Sequence, residues 1–250
     1  MSEFPILKHG HGSLAAMQKL RSRTTKMPRS KQSRPATRGG NGLTELAVRA
    51  CMIASDAAFN TKDFLTNSSR LAFLAVRDCE KELDRIEQQI DEQLPAAITD
   101  VAELKARELL ACLRFSTDLE RIGDLLWGVA QRAHNLETPL PKPDLHQLIE
   151  MLDVLADMLQ RVREGFIERD LDPASYVLRA DREIDQTYKL LFRRHVENER
   201  PGNIKHGADA LLMAQALERA GDHATNLAEE LFRLIEGRSL RHSPKRQLND

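Results

Sequence analysis

Aromatic residues are scarce in this chain, at 4% of its 250 positions, and the helix formers Ala, Leu, Glu and Arg outnumber the β-branched residues. β-Sheets are enriched in aromatic and β-branched side chains, whereas these helix formers lose little free energy on entering a helix. With 41% hydrophobic positions, the chain is long enough for one large or two small domains with real cores. The composition therefore predicts an all-α protein.

Cysteine is also rare, and its three copies stand at Cys51, Cys79 and Cys112 on apolar helical patterns. No Cys-x-x-Cys pair occurs, which argues against a disulfide framework and against a zinc site built from cysteine. A reducing cytoplasm suits such a chain best.

Long hydrophobic runs are missing as well. No apolar segment approaches the roughly 18 residues needed to cross a bilayer, and the first residues lack the compact apolar stretch of a secretion signal. We therefore expect a cytoplasmic protein that reaches a membrane only through partners.

Charge is distributed unevenly along the chain. Residues 1–42 contain nine Lys or Arg and one acid, Glu3, for a net charge of +8, while the remainder has a net charge of −9. The basic segment is rich in Ser, Thr and Pro and has no periodicity, so disorder is expected. A transit-like role or tethering to nucleic acid is the alternative, because a basic tail binds any polyanion through counterion release.

Prolines and polar breaks divide the remaining chain into six helical stretches. Pro139, Pro141 and Pro143 mark a linker in "ETPLPKPDLH", and a second break falls near Asn67-Ser68-Ser69. We predict two tandem three-helix bundles, six long helices in all, related by an internal repeat. The predicted ranges are a basic disordered extension at 1–42, a first bundle at 43–137, a linker at 138–144, a second bundle at 145–237 and a flexible tail at 238–250.

The repeat is clearest in the third helix of each half. "DLERIGDLLWGVA" and "ALERAGDHATNLAEE" share Leu-Glu-Arg-x-Gly-Asp, and apolar residues recur every three or four positions in both. Aligning Phe59 with Phe166 and Asp63 with Asp170 extends the repeat to the first helices. This alignment makes the first half longer between its first and second helices.

Acidic pairs four residues apart recur on the second and third helices of each half. The pairs are Glu80/Asp84, Glu120/Asp124, Asp181/Asp185 and Glu218/Asp222. Residues four apart lie on one helix face, and like charges at this spacing cost about a few tenths of a kcal/mol unless offset. Neither Glu120 nor Glu218 has a basic residue three or four positions away. Carboxylates without nearby His or Cys suit magnesium, manganese, calcium or ferric iron.

Two other interpretations of the acids stay open. They could be solvated surface groups, or Arg121 and Arg219 could pair with them across helices. Gly123 and Gly221 stand between the acids of each third-helix pair, although an interior glycine costs about 1 kcal/mol against alanine. A closely packed helix or a bound ion would need the space that these glycines leave.

With these motifs the chain resembles the PhoU family of bacterial phosphate-signalling regulators, over roughly residues 43–237. The family pattern has two three-helix bundles with an E(D)-x-x-x-D pair on each second and third helix. Here "EKELD" and "DREID" carry the second-helix pair, and the third-helix phrase is carried by the two segments quoted above.

The resemblance implies a non-enzymatic, cytoplasmic and often dimeric protein that binds metal at those acids. The expected cofactor is a divalent or trivalent metal (Mg, Mn, Zn or Fe). The expected partners are the ATPase subunit of the phosphate ABC transporter and a phosphate-sensing histidine kinase, and no specific nucleic acid is expected. The implied role is negative regulation of phosphate uptake and of the phosphate-starvation response. Another transporter, or a helical protein tethered to nucleic acid by its basic arm, is the alternative.

The two copies of the third-helix phrase differ. Asp118 in the first copy is replaced by Ala216 in the second, and Asn226 in the second is Gly128 in the first. Asp118, Asn226, Arg121 and Arg219 are therefore possible additional site residues, and the two sites need not be equal. His223, beside Asp222, is interpreted as a helix-surface histidine rather than a ligand, because its counterpart is Leu125.

Enzymatic alternatives find little support in the sequence. A ferritin-like di-iron centre uses Glu-x-x-His, and that spacing does not occur in the chain. Phosphate-binding glycine loops and the Gly-x-Ser-x-Gly nucleophile motif do not occur either.

Overall fold

The computed structural model describes residues 38–197 and 204–237, and this part of the chain is helical with short connections. The helices are α1 (Arg38–Asn67), α2 (Arg70–Ala97), α3 (Glu103–His134), α4 (Lys142–Glu168), α5 (Asp172–Phe192) and α6 (Ile204–Glu236), with a π-helix at Arg193–Glu197 after α5. The predicted all-α class and the six long helices are confirmed. The predictions made for residues 1–37 and 238–250 lie outside the described residues.

The predicted break between the first two helices is a tight two-residue connection. Ser68 adopts a left-handed conformation with φ 52°, and the Ser69 side chain accepts a hydrogen bond from the Ala72 amide at 3.2 Å. A serine at this position satisfies an amide that the first turn of a helix leaves unpaired. Ser69 thereby fixes the start of α2.

The two three-helix halves share one core. Helix α1 packs against α4, and α3 packs against α6, while α2 contacts α1 and α3, and α5 contacts α4, α6 and the π-helix within the described residues. One continuous cluster of buried side chains draws on all six helices. Helices α1, α3, α4 and α6 therefore form the centre of the molecule, and α2 and α5 flank it.

The alignment of the first helices through Phe59 and Phe166 is wrong. Phe59 is 68% exposed, whereas Phe166 is 1% exposed and its ring lies 4.8 Å from that of Phe115. The buried positions of α1 and α4 instead match as Ala47 with Leu148 and Ala54 with Leu155. The number of residues from Ala47 to Leu148 equals the number from Glu80 to Asp181. The first and second helices are therefore equally far apart along the chain in both halves, and the length difference between the halves falls between the second and third helices.

Helix α4 begins at Lys142, within the predicted linker, and carries a buried acid in its first turn. Asp144 is 1% exposed, and its carboxylate accepts from Arg194 Nη1 at 2.5 Å and lies 2.9 Å from His195 Nε2. The His195 ring packs over Gly207, where an added Cβ would lie 2.9 Å from Nδ1. The end of α5 is thereby fixed to the starts of α4 and α6.

Candidate functional site

The first acidic cluster lies where α2 packs against α3. It consists of Glu80, Asp84, Glu120 and Asp124. Burial raises the pKa of Glu80, and the charges of Asp124 and Asp84 raise it further. Burial also raises the pKa of Glu120, with Asp124 as the next cause. Asp124 therefore lies close to acids of both helices.

The second acidic cluster repeats this arrangement between α5 and α6. It consists of Asp181, Asp185, Glu218 and Asp222. Burial raises the pKa of Asp181, and Asp185 and Asp222 raise it further. Burial, followed by Asp222, Asp185 and Asp181, raises the pKa of Glu218. The structure thus brings the eight acids into two clusters, one in each half.

Both glycines of the third-helix phrase serve close helix packing. A Cβ on Gly123 would lie 2.6 Å from Leu83 Cδ1, so α2 fills that space with a leucine. A Cβ on Gly221 would lie 3.1 Å from Ile184 Cδ1 and 3.3 Å from Asp181 Oδ1. Of the two explanations for these glycines, the structure supports the packed helix, and only Gly221 also borders a carboxylate.

Basic and amide side chains contact each cluster from its own helices. In the first cluster Arg121 lies 3.4 Å from both Glu120 Oε2 and Asp124 Oδ2, and Gln88 donates to Asp84 Oδ1 at 3.0 Å. Glu120 has no basic residue three or four positions away, but the adjacent Arg121 folds back onto it and serves as its basic partner.

The second cluster has a different basic partner. Lys189, one turn after Asp185 on α5, donates to Asp185 Oδ2 at 3.2 Å. Arg219 is exposed and forms no ion pair within 4.0 Å among residues 42–196 and 207–237, although its charge lowers the pKa of Glu218 slightly against the stronger opposing causes. Pairing across helices by Arg121 and Arg219 is not what the structure shows.

The second cluster also contains a hydroxyl that the sequence did not single out. Thr225 Oγ1 on α6 is buried without a hydrogen bond of normal geometry, and the Thr225 side chain acts to lower the pKa of Asp181. The corresponding position on α3 is Trp127, whose ring lies 4.9 Å from Phe73. Only the second cluster therefore has this additional oxygen.

The donor atoms of both clusters suit a hard cation, since they are carboxylate oxygens whose mutual repulsion a positive ion would relieve. In the part of the chain that the structure describes, no three His, Cys, Asp or Glu side chains converge closely enough to hold a metal ion. The residues fit a metal by chemistry, and binding one would require the carboxylates to move closer together.

Asp118 and Asn226 lie outside both acidic clusters. Asp118 Oδ1 lies 2.8 Å from His223 Nδ1 and 3.4 Å from Asn226 Nδ2, across the contact between α3 and α6. His223, interpreted from the sequence as a helix-surface histidine rather than a ligand, is partly exposed at 22% and pairs with Asp118. Residues two apart on a helix point in nearly opposite directions, so Asp118 and Glu120 could have been assigned to different faces from the sequence.

A polar cleft of about 380 Å³ continues from Asp118 along α3 and α6. Within it Glu230 is 5% exposed, accepts two hydrogen bonds of 2.8 Å from Arg114 and accepts one of 2.7 Å from Arg233. No pattern in the sequence indicates this cross-helix ion pair, which joins the two halves.

Two further predictions bear on the setting of these sites. Cys51, Cys79 and Cys112 are free, as expected, and burial raises the pKa of the Cys51 thiol to about 12. Within the described part of the chain, no helix combines the length and apolar character that crossing a membrane requires.

Comparison with known proteins identifies a family model and several relatives. The PhoU domain model matches residues 48–133 and 148–231, one match in each half. A Thermotoga maritima protein named phosphate-specific transport system accessory protein PhoU homolog 1 is 33% identical over 165 residues, which cover 64% of this chain and 71% of the relative. A PhoU homolog with the same accessory-protein name from Zymomonas mobilis is 28% identical over 203 residues, covering 80% and 81% of the two chains.

Two solved structures share the fold. The crystal structure of PhoU from Pseudomonas aeruginosa superposes with a TM-score of 0.73 at 24% identity, covering 80% of this chain and 98% of the other. The phosphate transport system regulatory protein PhoU from Streptococcus pneumoniae gives 0.71 at 21% identity, covering 80% and 97%. Six helices in two repeated halves are thus an arrangement that solved PhoU structures also have.

Proposed function

Because the chain belongs to the PhoU family, we propose that it is a negative regulator of phosphate uptake and of the phosphate-starvation response. The observation that carries this proposal is the match of the PhoU domain model to both halves of the chain. The accessory-protein names of the curated relatives support it. The protein works by contact with other proteins and is not an enzyme.

The proposed partners are the ATPase subunit of the phosphate ABC transporter and a phosphate-sensing histidine kinase, reached from the cytoplasm. Three free cysteines suit that reducing compartment. A homodimer remains a prediction, and light scattering coupled to size-exclusion chromatography tests it directly.

Metal binding is the proposed link between the acidic clusters and this contact. A bound cation would supply positive charge that neutralises the clusters and fixes the acids of α3 and α6 relative to α2 and α5. Glu120 and Asp124 would hold it in the first cluster, and Glu218 and Asp222 in the second. The repeated clustering of acids between paired helices supports this proposal.

Deleting the gene in its host tests the regulatory role. We expect a phosphate-starvation reporter such as secreted alkaline phosphatase to become active in plentiful phosphate, and we expect the full-length chain to silence it again. A reporter that stays silent after deletion would contradict the proposal and would favour an accessory of another transporter.

Replacing Asp124→Ala together with Asp222→Ala tests the role of metal. We expect less bound metal per protein by elemental analysis, and a reporter that the variant no longer silences. The exposed double variant Asp91→Ala and Asp153→Ala is the control, since it removes the same charge outside both clusters. An unchanged metal-to-protein ratio in the cluster variant would contradict the metal proposal and leave the regulatory one standing.

A further inference from the structure

A buried acid at the start of α4 binds two side chains from the end of α5. Arg194 Nη1 donates to Asp144 Oδ1 at 2.5 Å, and His195 Nε2 lies 2.9 Å from Asp144 Oδ2. The His195 ring lies against Gly207 of α6, where no side chain would fit. One polar group thereby closes this end of the second half, where three helices meet.

The corresponding end of the first half is closed by leucine. In the alignment of the repeat, a buried leucine stands opposite three of these residues. The matches are Leu43 with Asp144, Leu94 with His195, and Leu109 with Gly207. The two halves therefore close the same end with opposite chemistry, one with charge and one with apolar packing.

The two kinds of closure respond differently when the end opens to water. Leucine side chains lose their hydrophobic stabilisation on exposure. Asp144 and Arg194 lose their mutual attraction but regain the hydration that burial had removed, and this offsets part of the loss. Local opening should therefore cost less free energy at the end of the second half than at the end of the first.

The segment that carries Arg194 and His195 has an unusual backbone. Arg193–Glu197 forms a π-helix directly after α5. Such turns are rare, and they frequently stand at functional sites. A return to α-helical hydrogen bonding would rotate Arg194 and His195 relative to Asp144 and break both contacts. The turn therefore has a second regular conformation, in which the end of α5 is released.

We propose that Asp144, Arg194 and His195 form a conformational latch, which lets the end of α5 open while the rest of the molecule stays folded. In the closed state the π-helix is held against α4 and α6. In the open state Asp144 and Arg194 are hydrated, and residues 188–197 separate from both helices. The latch belongs to the second half alone, and it operates without a metal ion or a partner protein.

Hydrogen–deuterium exchange of the full-length protein, followed by mass spectrometry, tests the latch. Asp144→Asn keeps the shape of the side chain and removes its charge. We expect amide exchange in residues 188–197 to rise about tenfold to a hundredfold, because one partner of a buried ion pair is lost. The matching residues of the first half, 87–96, should keep their wild-type rates.

Asp153→Asn is the matched control. Asp153 also lies on α4 and pairs with another helix, through Lys62 at 2.6 Å, but its side chain is 56% exposed. A change on Asp144→Asn no larger than that on Asp153→Asn would overturn the latch. An increase spread evenly over both halves would also overturn it, since that result indicates loss of global stability rather than local opening.

Exchanging the polar group for the leucines of the first half tests the energetic reason. The variant combines Asp144→Leu, His195→Leu and Gly207→Leu. Arg194 can then turn to solvent, since its counterpart Gln93 is exposed. We expect exchange in residues 188–197 to fall below the wild-type rate. Faster exchange there, with an unchanged far-ultraviolet circular dichroism spectrum, would overturn the proposal. Asp144→Asn decides the question alone if the triple variant does not fold.

Discussion

At the residue scale, mutual repulsion between the carboxylates of each acidic cluster opposes folding. Burial and neighbouring charges raise the pKa of Glu80, Glu120, Asp181 and Glu218 together. A carboxyl whose pKa is higher in the folded chain than in the unfolded chain binds more protons when folded, so the free energy of unfolding falls as pH rises between the two pKa values. The clusters therefore weaken the metal-free protein at neutral pH.

Asp181→Asn should make the metal-free protein more stable at pH 7, by a few tenths to about 1 kcal/mol, because it removes one charge from the cluster. The gain should shrink as pH falls through the raised pKa and be lost below the ordinary carboxyl pKa of 3.8, because Asp181 is then protonated in both states. Urea unfolding at several pH values measures it.

Asp91→Asn, at an exposed acid of α2, is the control for that experiment and should change stability less. A loss of stability on Asp181→Asn at pH 7 in the absence of metal would contradict the repulsion argument.

At the element scale, replacing two helix glycines by alanine is expected to have opposite effects on stability. Gly128 in α3 has open space around the position of a Cβ, whereas a Cβ on Gly165 in α4 would lie 2.9 Å from the carbonyl oxygen of Asp170 and would also clash with Leu231. Backbone cannot move aside as a flexible side chain can, so the two positions tolerate a methyl group very differently.

Gly128→Ala should stabilise the protein by about 0.5 to 1 kcal/mol through helix propensity. Gly165→Ala should destabilise it by about 1 to 3 kcal/mol through overpacking, despite the same propensity gain. Thermal unfolding of both variants measures the difference. Equal shifts of Tm in one direction would show that backbone contact at Gly165 does not limit the packing of α4.

The sequence predicted the helices and the acid pairs because both depend on spacing within one helix. Prediction from the sequence failed for features that depend on packing between distant segments of the chain. The Asp118–His223 contact joins residues 105 positions apart, and its geometry depends on how α3 meets α6. The alignment of the first helices was wrong because Phe59 and Phe166 share an aromatic side chain but differ in burial. That difference is visible only in the packed structure.

At the scale of the whole molecule, the repeat does not make two independent domains. The contacts of α1 with α4 and of α3 with α6 bury apolar faces of both halves in one core. Helices that bury their apolar faces in one shared core lose that burial together when the core opens. The two halves should therefore unfold together.

Urea unfolding with two probes tests this cooperativity. The single tryptophan, Trp127, lies in the first half, whereas far-ultraviolet circular dichroism reports all six helices. We expect coincident midpoints for the two signals. A tryptophan transition clearly separated from the dichroism transition would indicate halves that unfold independently.

The cross-helix group of Asp118, His223 and Asn226 makes the two halves of the molecule chemically different. The repeat pairs these residues with Ala216, Leu125 and Gly128, so the internal relation between the halves exchanges a polar, hydrogen-bonded patch for a small and apolar one. A structure built from two nearly equal halves would otherwise look the same from either end. With this difference along α3 and α6, exchanging the two halves changes the chemistry of their contact, so the sequence repeat is not a symmetry of the folded molecule.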